Sequence, residues 1–144
     1  FLLKEKNEKA VIEALKAGRV YALHLYTEKA PALTLDTFII EDTTQSAKAY
    51  MGEELVTDKN PQLKIHVSLP ETAKDVKYRV DIIRNGEVVH RFESTGNTEL
   101  SYEDNYAKPG EKIYYRLDID GPSRILSNPI FVKFGSPSGN TKGE

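Results

Sequence analysis

The sequence predicts an antiparallel β-sandwich of about eight strands with one helix at its N-terminal end. Three observations carry that expectation. A single helical period near the start gives way at Gly18 to alternation of apolar and polar residues, which continues to Val132. The alternating runs are short, and turn signals such as Asn85-Gly86, Pro109-Gly110 and Gly121-Pro122 punctuate them at sandwich-like intervals. Alternation also leaves one face of each strand wet, which suits antiparallel sheets packed face to face and not a parallel sheet buried on both sides. Together these describe a mainly β, immunoglobulin-like sandwich.

The helix is expected over Asn7–Gly18. Asn7 can accept a bond from an early backbone N–H, and Gly18 suits the C′ position, where positive φ costs glycine little. Val11, Ile12 and Leu15, with Leu3 ahead of them, recur at helical spacing, so the helix must lean on something. The chain begins with Phe1 and not with methionine, and Phe1-Leu2-Leu3 is apolar for a free terminus. The expectation is a piece of a longer polypeptide. Residues 1–18 would be the terminal helix of a preceding domain, residues 19–134 the sandwich, and residues 135–144 a small, polar tail. A helix deprived of its neighbour would either fold back onto its own sheet or bury its face against another copy, and self-association into a homo-oligomer at high concentration is the favoured expectation.

The strands follow in order. Val20, Ala22, Leu23 and Leu25 open the series. Leu33 and Leu35, then Phe38, Ile39 and Ile40, form a second run whose apolar phase switches near Thr37, as at a β-bulge. Ala47–Leu55 is a weak segment. Leu63–Leu69 and Val76–Ile82 alternate cleanly, and Asn85-Gly86 supplies a two-residue hairpin turn into Val88–Phe92. Thr98–Tyr102 and Ile113–Ile119 come next. Ile125–Val132 closes the domain, with Pro129 suited to an edge or a bulge.

Composition narrows the chemistry. Acidic residues outnumber basic ones by 22 to 20, which argues against a nucleic-acid partner, since phosphate binding needs a concentrated basic face. Without cysteine there is no disulfide, thiolate ligand or thiol nucleophile. No apolar run approaches the roughly 20 residues of a membrane span. The three histidines, His24, His66 and His90, lack any His-x-His or His-Glu-x-x-His spacing and read as half-exposed strand residues, His66 and His90 on polar phases. The pairs Glu41-Asp42, Glu53-Glu54 and Glu103-Asp104 sit beside turns, without a calcium loop. Asp118 and Asp120 belong on one wet face. No serine has an elbow setting. Among eight tyrosines, Tyr78 and Tyr115 fall on apolar phases and belong in the core. Tyr102, Tyr106 and Tyr114 are candidates for an exposed platform that stacks on sugar rings, with ordinary strand tyrosines as the weightier reading.

Four strings carry a resemblance. They are Ala14-Leu15-Lys16-Ala17-Gly18-Arg19-Val20-Tyr21, Met51-Gly52-Glu53-Glu54-Leu55, Tyr114-Tyr115-Arg116-Leu117 and Leu126-Ser127-Asn128-Pro129-Ile130-Phe131-Val132. Their order resembles the C-terminal end of metal-dependent hydrolases of the polymerase-and-histidinol-phosphatase (PHP) superfamily, the CehA/McbA-like branch above all. What the resemblance implies is a last barrel helix, a Gly-Arg-x-Tyr strand and a sandwich appendage. It implies a preceding catalytic domain as partner and a divalent metal held there, with no cofactor in this part. Gly18, Arg19 and Tyr21 match the barrel exit, and Met51, Gly52, Arg116, Asn128 and Pro129 match structural positions of the appendage. The family's His-x-His and its later His and Asp ligands have no counterpart here, so no catalytic or metal-binding residue is carried over. The function expected is therefore a non-catalytic accessory sandwich serving packing, positioning or interaction. The alternative is a carbohydrate- or surface-binding module. A small stand-alone enzyme is disfavoured, because no convergent catalytic set is visible.

Overall fold

The computed structural model describes residues 8–135. The Asn7 cap, the Phe1-Leu2-Leu3 segment and the tail beyond Gly135 lie outside them. Helix α1 (Glu8–Ala17) ends where the sequence places its stop. Gly18 takes φ +77°, its N–H donates to Leu15 O at 3.2 Å, and the Arg19 N–H donates to Ala14 O at 2.9 Å. This pair of bonds is a Schellman motif, which satisfies carbonyls the helix would otherwise leave orphaned.

The packing of α1 differs from the expectation. The small residues Ala10 and Ala14 are buried, whereas Ile12 and Leu15 remain 43% and 53% exposed. The cause lies at the C-terminal end of the helix. There the backbones of Gly18 and Gly52 nearly touch: a Cβ on Gly18 would stand 3.1 Å from Gly52 Cα. An approach that close admits alanine and turns the larger side chains away.

Among the described residues eleven strands follow: β1 (Tyr21–Leu25), β2 (Thr34–Asp42), β3 (Ala47–Tyr50), β4 (Glu54–Thr57), β5 (Gln62–Ser68), β6 (Lys77–Arg84), β7 (Glu87–Thr95), β8 (Thr98–Glu103), β9 (Lys112–Asp120), β10 (Ser123–Ser127) and β11 (Ile130–Phe134). The count exceeds the expected eight for two reasons. The weak segment at 47–55 makes two short strands, and the last run divides at Asn128-Pro129, where proline has no N–H to give the ladder.

One sheet has the order β3-β2-β5-β8. In the other, β9 is central. It pairs with β6, which pairs in turn with β7. Along its other edge, β11 covers Lys112–Tyr115 and β10 covers Asp118–Asp120. Outside these lie β1 on β10 and β4 on β11. The β4–β11 pair is parallel, which corrects the all-antiparallel expectation. The chain leaves β3 in one sheet, turns at Met51-Gly52 and crosses to the edge of the other, where it arrives running the same way as β11.

Inward phases of both sheets meet in one core. Leu35, Phe38, Ile40, Leu63, Ile65 and Val67 face Val80, Ile82, Tyr115, Leu117, Ile119 and Val132. The phase switch in β2 is real: its register against β5 shifts between Leu35 and Thr37, so Leu35 and Phe38 both point inward. The Asn85-Gly86 hairpin forms as expected, with Arg84 opposite Glu87.

Two glycines set up a comparison. A Cβ at Gly52 would lie 1.8 Å from Ala17 O, at φ +85°. At Gly86, with φ +88°, the nearest atom is 3.9 Å away, so only backbone strain opposes a side chain. Gly86→Ala should therefore cost about 1 kcal/mol, and Gly52→Ala about 2–4 kcal/mol because a backbone must move as well. Urea midpoints of the two variants check this. Equal shifts would mean that the Gly52 contact is not tight.

Candidate functional site

The four strings singled out in the sequence lie far apart along the chain, and the fold draws three of them to one joint. β10 ends at Ser127, and β11 begins at Ile130. In the gap, Asn128 Nδ2 donates to Gly18 O at 3.1 Å and the Asn128 N–H donates to Val20 O at 3.3 Å. Pro129 O accepts the Gly52 N–H at 2.8 Å, and the Phe131 N–H donates to Glu53 O at 2.9 Å. The end of α1, the β3–β4 turn and the break in the last strand are thus tied together. Met51 is fully buried beside this turn, and Glu53 Oε1 accepts the Tyr50 N–H at 2.8 Å to close it. Tyr21 reaches across to the opposite sheet, where its hydroxyl accepts the Leu35 N–H at 3.4 Å.

The fourth string contributes Arg116. It stands on β9 between Tyr115, paired with Ile130, and Leu117, whose N–H donates to Ser127 Oγ at 2.7 Å. It therefore flanks the same break. Its side chain is half-buried, and its Nε is buried without a hydrogen-bond partner. Arg19, which precedes Val20 on the other side of the break, has the same property.

The three candidate tyrosines do not form one platform. Tyr102 and Tyr106 pack against the core, while Tyr114 lies on the outer face of its sheet, beside Phe131. His90 also departs from its expected solvent-facing phase. The register of β6 and β7 shifts between Ile82 and Ile83, and this bulge sets His90 opposite Ile82, on the inner side. There its ring stacks on Tyr102 at 4.5 Å, joining the free edges of the two sheets. His24 stands edge-on to Tyr26, and His66 Nδ1 is 3.8 Å from Asp36. The histidines stand on three separate strands, and among the described residues no group of three or more His, Asp or Glu converges.

Three buried carboxylates organise polar networks that the sequence did not announce, although Asp42 and Asp104 belong to acidic pairs expected beside turns. Asp104 accepts Arg84 Nη1 at 2.7 Å and the Tyr115 hydroxyl, and the Arg84 guanidinium lies 3.8 Å above the Tyr106 ring. Burial, then the Asp104 bond, raises the Tyr115 hydroxyl far above its ordinary range. Asp81 accepts Arg91 Nε at 2.7 Å and has Arg79 Nε at 3.1 Å. The Arg91 bond is the main force holding Asp81 below the usual carboxylate range, against burial and with help from Arg79. Asp42 behaves similarly. Burial works to raise it, but bonds from Thr44, Thr57 and Gln45 prevail and lower it. The sequence signal for such hubs is weak, because each partner lies on another strand or turn and no spacing announces it. On the surface, Asp118 is paired with Arg124 at 2.8 Å and Glu54 with Lys112 at 2.9 Å.

The fold and these contacts define an immunoglobulin-like β-sandwich with a helix locked to one edge. No family model matches the sequence. An uncharacterized protein of Chlamydia pneumoniae is 32% identical over 141 residues, a stretch that covers 88% of this chain and 21% of that protein. The chain thus spans about a fifth of the length of the relative it matches.

Carboxylates with lowered values give stability that is complete above their unfolded pKa, near 3.9, and is lost as pH falls through the folded value. The urea midpoint should stay level from about pH 7 to 5 and drop below about pH 4. Asp81→Asn should lower stability at pH 7 by about 1–3 kcal/mol, because Arg91 and Arg79 lose a charged acceptor, and should flatten the acid limb. An acid limb unchanged in this variant would remove Asp81 from the explanation.

Proposed function

We propose that the chain is a non-catalytic accessory β-sandwich of a PHP-type metal-dependent hydrolase, which positions a catalytic domain attached through α1. The observation that supports this best is the joint. Residues matching the family pattern at Gly18, Gly52, Asn128 and Pro129 bond or touch one another there. A resemblance made of short strings gains weight when the strings answer one structural need, here the fixing of a helix to a sheet edge. The buried serines agree with a structural role. Ser123 Oγ accepts the Leu33 N–H, and Ser127 Oγ accepts the Leu117 N–H, so both act as backbone acceptors. The separation of Tyr102 and Tyr106 from Tyr114 gives a sugar-stacking module less support.

The test uses aryl phosphate mono- and diesters with added manganese, magnesium, zinc or iron. This chain alone should show no turnover above background, and the complete gene product should turn over in a way that a chelator abolishes. Turnover by the chain itself that vanishes on mutating His24 or His66 would refute the non-catalytic assignment. An inactive complete product would sink the hydrolase parentage.

A further inference from the structure

The arginines divide into two groups. Arg79 and Arg91 hold Asp81, Arg84 holds Asp104 and Arg124 holds Asp118. Arg19 and Arg116 hold no carboxylate, and the Nε of each is buried without a hydrogen-bond partner. Arg79 Nε also lacks a well-aligned bond, but it has Asp81 Oδ2 at 3.1 Å. A buried guanidinium nitrogen without a hydrogen-bond partner is unfavourable, and two of them at one joint point to acceptors supplied from outside the described residues. Both stand at the joint from which α1 departs, on either side of the Ser127–Ile130 stretch.

The second observation is the face of α1. Ile12 and Leu15 are open, one turn apart, and Glu8, Lys9, Glu13 and Lys16 line a shallow depression around Ile12. An apolar centre with a mixed-charge rim is the make-up of a protein contact.

We propose that the open face of α1 and the Arg19–Arg116 pair are one docking surface, and that its occupant is the polypeptide contiguous with α1, which sets an apolar patch on Ile12 and Leu15 and carboxylates on the two arginines. This deepens the accessory-domain reading and rests on it. A second copy fits less well. Stable interfaces between separate molecules bury about 1,200–2,000 Å², and one ten-residue helix with two large apolar residues offers far less. A tethered partner needs less area, because its effective concentration is already on the order of millimolar. In the Chlamydia pneumoniae relative, four-fifths of the polypeptide lies outside the stretch that this chain matches, room enough for such a partner.

Hydrogen exchange of the α1 amides tests the proposal, in this 144-residue chain and in the complete gene product. The β9 amides serve as the internal control for folding. The expected result is exchange at least tenfold slower in the complete product. Ile12→Asp with Leu15→Asp should abolish that protection, and Arg19→Gln with Arg116→Gln should reduce it at least threefold, with β9 unchanged. Equal exchange in both contexts would overturn the proposal. So would protection indifferent to either pair of substitutions, or protection in the chain alone that rises with its own concentration, the mark of a second copy. Hydrolytic activity enters none of these readouts, so an inactive complete product would fail the parentage without touching this result.

Discussion

The break at Asn128-Pro129 is the constraint on which the architecture depends. Proline cannot donate to a ladder, so the last run cannot continue along β9 as one strand. Dividing it into β10 and β11 gives β9 two neighbours on one edge and creates two separate outer edges. β1 takes the first and β4 the second. Because these edges meet at the break, the segments that use them meet there too, and Gly18 comes against Gly52. The direction of α1 follows from that contact and from the Asn128 bond to Gly18 O.

A second layer of order is polar. Asp42, Asp81 and Asp104 are buried carboxylates on or beside strands, and each is surrounded by donors. Groups of this kind are unfavourable in a core unless their hydrogen bonds are made, so they fix register as well as charge. Asp81 ties β7 to β6, and Asp104 ties the end of β8 to β6 and β9. Asp42 ties the β2–β3 turn to β4.

Much of this fold is legible from alternation and punctuation. The stop at Gly18, the phase switch near Thr37 and the Asn85-Gly86 hairpin are local matters of spacing and backbone preference, and such signals sit in neighbouring residues. The strand switch at Met51-Gly52 and the parallel pairing of β4 are not local. They depend on where β11 ends up, which no short window contains. The inward turn of His90 was hidden for a related reason: one extra residue in β7 reverses the phase, and the sequence does not mark a bulge of that sort. At the candidate site, the residue types at the joint were readable as a pattern. Their convergence was not, and neither were the unpaired Nε atoms of Arg19 and Arg116.

The pairing of β1 and β4 with β10 and β11 bears on how the domain is made. The earliest strands of the chain lie beside the latest. During synthesis, β2, β3 and β5 can associate as soon as they appear, whereas β1 and β4 have no partner until the final segment emerges. Bringing such distant segments together has an entropic cost that rises with loop length and slows folding. The backbone of β1 would be unpaired throughout that wait, a period in which unpaired edges invite association with other nascent chains. A ribosome that paused late in this domain would hold it open along one whole side.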